Sequence, residues 1–146
     1  SDGMPGNKVV KVYVSVKQGI KSGEDYVLTN RDIRFIRRIV RDYSFRKVPP
    51  ENMLEMWPTV CEGEIKYIRP YRYTSDFTVN SIHIYEPCIM KNTALELLQK
   101  IDSNNPNREY VDRLIQSLMC FESIDLSLVP ENSLIREFVG GGCYIY

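Results

Sequence analysis

Residues Arg31–Tyr43 read RDIRFIRRIVRDY, and this stretch decides how the rest of the chain is interpreted. On a helix turning about 100° per residue with Arg31 at zero, Arg34, Arg37, Arg38 and Arg41 fall in an arc of roughly 240° to 340°. Ile33, Phe35, Ile36, Ile39, Val40 and Tyr43 fall between roughly 40° and 200°. That separation predicts an amphipathic helix over 30–43 with five arginines on its polar side. Thr29 or Asn30 is placed to cap it, and Asp32 in the first turn suits the positive end of the helix dipole.

Working outward, Val9–Val16 (VVKVYVSV) is β-branched, aromatic and nearly continuous in apolar character, which predicts a central strand buried on both faces. Lys17–Asp25 (KQGIKSGED) has glycine and charge without period and is expected to be a loop. Downstream, Pro50 can open a second helix through ENMLEMW, with a kink or restart at Pro58 before it continues toward Tyr67. Arg69–Arg72 (RPYR) predicts a turn and Asp76–Ser81 (DFTVNS) a short second strand. The helical interval between the two strands suits a crossover joining parallel neighbours.

Beyond Ser81 the pattern turns helical. A stretch around Ile82–Met90 broken by Pro87 is followed by Thr93–Ile101 and by Arg108–Phe121, where Val111, Leu114, Ile115, Leu118 and Met119 recur at helical spacing. The tail SLIREFVGGG predicts a short helix stopped by Gly140–Gly142.

The whole chain sets the bounds. It has 146 residues, of which 43% are hydrophobic, and the length suits one domain. Nineteen basic residues balance nineteen acidic ones, so no global field recruits nucleic acid or an anionic membrane, and a basic site must come from clustering. The absence of a long apolar run and of a leader's apolar segment predicts a cytoplasmic, soluble protein. Residues 1–7 are expected to be a flexible N-terminus or expression remnant, with 8–146 a single unit. Cys61, Cys88, Cys120 and Cys143 lie far apart without a CxxC pair, and only one histidine is present, so neither a metal site nor a disulfide framework is expected. Cys61, Cys88 and Cys120 sit among apolar residues and are expected as reduced core thiols. His83 and Trp57 are expected to be packed residues rather than a base and a stacking platform.

Taken in order, DIRFIRRIVRDYSFR, LEMWP, GEIKYIRPY, DFTVNS and SLIREFVGGG resemble the C-terminal half of a bacterial-type subfamily of P-loop uridine kinases, over about residues 8–144. The resemblance implies an α/β fold, the C-terminal portion of a P-loop kinase domain with few parallel strands and mostly helices. It implies that the arginine helix is a lid over phosphates, with Arg34, Arg37, Arg38, Arg41 and Arg46 as nucleotide-binding residues. It further implies a full-length parent that transfers the γ-phosphoryl of ATP, with Mg²⁺, to uridine or cytidine.

No GxxxxGK[ST] occurs in the chain, so the chain alone is expected to be inactive and to need neither ATP nor Mg²⁺. It departs from the family at Cys61–Glu62, where a basic pair is common, and at Lys47, where a glycine is. Arginine nevertheless suits phosphate work because its planar fork binds oxygens in pairs and stays charged. A solvated helix face, with Arg38 and Asp42 an ordinary i,i+4 pair, is the structural alternative. The functional alternative is a non-catalytic phosphate-ligand-binding or oligomerisation module. Exposed edges of a partial sheet predict a homo-oligomer, with no nucleic-acid partner.

Overall fold

The computed structural model describes residues 9–144, and the expectation for residues 1–7 lies outside them. The chain is α/β and mostly helical. Its elements run β1 (Val12–Ser15), β2 (Ile20–Ser22), β3 (Asp25–Leu28), α1 (Asn30–Arg46), α2 (Pro50–Tyr67), a 3-10 turn at Arg69–Thr74, β4 (Phe77–Asn80), α3 (Glu86–Gln99), α4 (Arg108–Met119), a 3-10 turn at Leu126–Leu128, and α5 (Arg136–Val139). No helix among the described residues is long and apolar enough to cross a membrane.

The helix expected from the arginine stretch is α1, and it lies in the core. Ile33, Phe35, Ile36, Ile39 and Val40 are all buried, and the helix packs against α3, α5 and α2. Its start is fixed by a capping box in which Thr29 Oγ1 accepts the Asp32 N–H at 3.2 Å and the Asp32 carboxylate accepts the Thr29 N–H at 2.9 Å. It runs past Tyr43 to Arg46 and stops where Lys47 turns left-handed at φ 55°, with the Val48 N–H reaching back to the Asp42 carbonyl.

β1 and β4 pair in parallel with Val12 opposite Phe77 and Val14 opposite Val79, as the crossover pattern predicts. Side chains clamp both ends of the pair: Asp76 Oδ2 accepts the Lys11 N–H at 2.8 Å and Asn80 Oδ1 accepts the Lys17 N–H at 3.1 Å. The expected central strand is corrected here. Tyr13 and Val16 are buried, but Val12 and Val14 are exposed, because among the described residues the sheet has two strands and one of its faces is uncovered.

Lys17–Asp25 is not a loop throughout. β2 and β3 form an antiparallel hairpin whose turn uses Gly23 at φ 63°. Gly19 lies so close to the facing strand that a Cβ there would sit 2.2 Å from the Leu28 carbonyl oxygen. α2 runs through Pro58 without interruption. Pro87 does not break a helix but helps begin one: residues 82–85 stay non-helical and α3 continues unbroken to Gln99, because proline in a first turn removes a donor that has no partner there anyway. In α4, Val111, Leu114 and Leu118 are buried while Met119 is exposed. Gly140 at φ 86° ends α5, as the triple glycine predicts. Of the thiols expected in the core, Cys61 is buried, Cys88 is partly buried and Cys120 is exposed, since its position follows the last turn of α4.

Candidate functional site

All five arginines singled out by the resemblance lie on α1, and the structure gives each a carboxylate partner. Arg34 pairs with Glu64 of α2. Arg37 makes a two-point contact with Glu86, its Nη2 donating to Oε1 at 2.8 Å, and also donates to the Ser81 carbonyl at 2.6 Å. Glu86 is 1% exposed, so this pair is withdrawn from solvent. Three guanidiniums then share Asp42: Arg41 Nε at 3.0 Å, Arg38 Nε at 3.4 Å and Arg46 Nη1 at 3.4 Å. Arg41 also approaches Glu137 at 3.8 Å. One carboxylate under three cations leaves a positive excess along the middle and C-terminal turns.

The middle of this face is a shallow groove of about 240 Å³ lined by Arg34, Arg37, Arg38, Arg41, Trp57 and Phe138. Trp57 is buried against Phe35, with ring centroids 5.3 Å apart, and so belongs to the core as expected. Among the described residues Arg38 Nε, although ion-paired with Asp42, and Trp57 Nε1 make no hydrogen bond, which leaves two donors unsatisfied beside the groove. Because the apolar side of α1 is held on several sides, a lid made by swinging the whole helix would have to unpack the core. Movement available to the arginines is movement of side chains.

A second, more strongly cationic cavity of about 290 Å³ opens at the N-terminal end of α1, beside the C-terminal end of β1. Lys17, Arg31, Arg34, Arg69 and Arg72 line it, and Glu64 is the one carboxylate among its lining residues. Lys17 leaves β1, Arg31 opens α1, Glu64 comes from α2, and Arg69 and Arg72 come from the 3-10 turn, so four elements converge. Asn30 and Ser15 add neutral polar groups. Only Arg34 of this set was among the expected site residues. The signal for Arg69 and Arg72 was present as RPYR but carried only a turn assignment, since nothing local shows that a turn will fold back over a helix more than thirty residues upstream.

This cavity suits an anion. Five cations at a helix N-terminus and strand C-terminus can neutralise phosphate oxygens. It suits a divalent metal poorly, because its lone carboxylate is already engaged by Arg34. His83 stands apart from both sites. Its N–H donates to Glu86 Oε1 at 2.8 Å and its carbonyl accepts the Glu86 N–H at 3.0 Å, so its backbone secures the start of α3.

No protein-family model matches the chain, and no curated protein or solved structure matches it.

Proposed function

We propose that this chain is a phosphate-recognising part of an ATP-dependent nucleoside kinase of the uridine kinase kind, and that it lacks catalytic activity by itself. The observation that supports the reading is the convergence of Lys17, Arg31, Arg34, Arg69 and Arg72 on one cavity where a parallel strand ends and a long helix begins. Ligands of open α/β sheets bind at such strand ends, and helix N-termini favour phosphates. Phosphoryl transfer depends chiefly on positioning and charge neutralisation, which is chemistry that guanidinium groups supply. The arginines of the middle groove extend the positive surface along α1, so a polyphosphate could reach from Arg31 toward Arg38. ATP would enter as substrate, its phosphate oxygens held by these side chains. No group in the cavity is set up as a general base: its titratable members are cations, Tyr13, Cys61 and the paired Glu64.

Titration of the purified chain with inorganic triphosphate tests the reading. Binding is expected to weaken steeply with salt and by about tenfold or more on Arg31→Ala or Arg72→Ala, the loss of one charge-assisted contact. A solvated helix face gives no saturable binding, and that result would remove the proposal. With ATP, Mg²⁺ and uridine or cytidine, the isolated chain is expected to show no turnover.

A further inference from the structure

At the other end of α1 lies a larger cavity of about 480 Å³, formed against the C-terminal tail by residues of which only Arg41 and Glu137 also border the middle groove. Its size falls within the range of small-molecule sites, about 300 to 1,000 Å³. The tail SLIREFVGGG shapes it. Arg136 is tied into the tail by donating to the Gly140, Leu126 and Val129 carbonyls at 3.3, 3.0 and 2.5 Å. The glycines wrap this guanidinium closely. A Cβ on Gly141 would lie 3.0 Å from Arg136 Nη1 and one on Gly142 2.9 Å from Arg136 Cβ, and Gly140 and Gly141 have φ of 86° and 69°. Glycine is therefore required by both space and backbone angle, beyond the need to stop a helix.

Two kinds of group face this space. Phe45 and Tyr144 are aromatic rings left 57% and 51% exposed, an uncompensated cost for a free molecule. Arg41 and Arg46 supply positive charge, with Glu137 opposing them. The Gly141 and Gly142 N–H groups have no acceptor among the described residues. Apolar rings beside guanidiniums, with glycine amides that no described residue accepts from, match a ligand that is itself a planar ring joined to an anion.

We propose that this cavity binds a nucleoside monophosphate, its base against Phe45 and Tyr144 and its phosphate at Arg41, Arg46 and the glycine amides. The site is separate from the cationic cavity around Arg31. Arg31 and Arg46 are fifteen residues apart on one helix, which at the α-helical rise is roughly 22 Å. The inference does not depend on the kinase reading.

The test is an NMR-monitored titration of the whole chain with uridine 5′-monophosphate and adenosine 5′-monophosphate, compared with uridine alone and with inorganic phosphate. The monophosphates are expected to move the amide signals of Phe45 and Gly140–Gly142 and to bind at least about tenfold more tightly than either fragment, since ring stacking and phosphate contact act together. Phe45→Ala and Arg46→Ala change exposed side chains and should leave the fold intact by circular dichroism. Each is expected to weaken binding about tenfold. Shifts confined to Lys17, Arg31 and Arg72 would overturn the proposal while supporting the other site. So would phosphate binding as tightly as the nucleotide, unchanged affinity in both variants, or no binding to the folded chain.

Discussion

Arg37 and Arg41 stand about one turn apart on α1 and are held in opposite ways. Removing Arg37 strands the buried Glu86 carboxylate, and Arg37→Ala is expected to cost about 3 to 5 kcal/mol in urea unfolding, the usual penalty for an orphaned buried charge. Arg41→Ala leaves Asp42 with Arg38 and Arg46 and should cost about 1 kcal/mol or less. A similar loss in both would show that Glu86 is not held as described. Asp32 gives a pH signature. Burial pushes its carboxyl up, but hydrogen bonds from Arg113 and Thr29, with the Arg113 charge, outweigh burial and hold it below the ordinary carboxylate range. The stabilisation is therefore complete above the unfolded value of about 3.9 and is lost as pH falls through the lower folded value. Asp32→Asn should be destabilising at pH 7 and progressively less so toward pH 2, followed by chemical denaturation across that range. Arg34, Arg37, Arg38 and Arg41 were legible as one face from helical periodicity alone, whereas Arg46 lies past the expected helix end at Tyr43. Of their partners Asp42 was legible as an i,i+4 neighbour of Arg38, but Glu64 and Glu86 were not, because they are brought in from 30 and 49 residues away by packing that no local pattern encodes.

Among the elements, α1, α4 and β4 were legible because each carries its own signal, whether a wide apolar stripe, a recurring triplet of core positions or a β-branched run between turns. The hairpin of β2 and β3 was hidden by its polar composition. Ile20 and Leu28 are the anchors at its base, Val27 is partly buried, and residues 21–26 face solvent, so alternation never develops. Proline misled in one direction only: Pro87 was given the power to break a helix that it in fact begins. Pro58 remains an internal proline, exposed, in a helix that tolerates it. Pro58→Ala restores a backbone donor and is expected to raise stability by about 1 kcal/mol, the penalty for interior proline being partly offset by greater freedom of the unfolded chain. Thermal denaturation followed by circular dichroism measures this, and a fall in midpoint would mean that the ring packs where the description places it in solvent.

At the scale of the molecule, the uncovered sheet face stands out. Val10, Val12, Val14, Phe77 and Val79 are all exposed, with no charged side chain among them, and Tyr71 and Tyr73 lie on the adjoining turn. Parallel pairs are ordinarily covered on both faces, and an apolar patch of this kind commonly marks an interface. The chain is expected to self-associate, and Val12→Lys or Phe77→Lys should return it to monomer in light scattering. A wild-type chain that stays monomeric at high concentration would contradict this. The same strand pair also bears on the order in which the chain folds. Val12 meets Phe77 across sixty-five residues of sequence, joined by only four residue pairs. Closing so long a loop carries an entropic cost that four short rungs cannot offset until α1 and α2 have drawn their ends together. The hairpin and the helices can assemble from near neighbours, whereas this sheet waits for them, so the amide hydrogens of Phe77 and Ser81 should exchange with solvent well before those in the middle of α1.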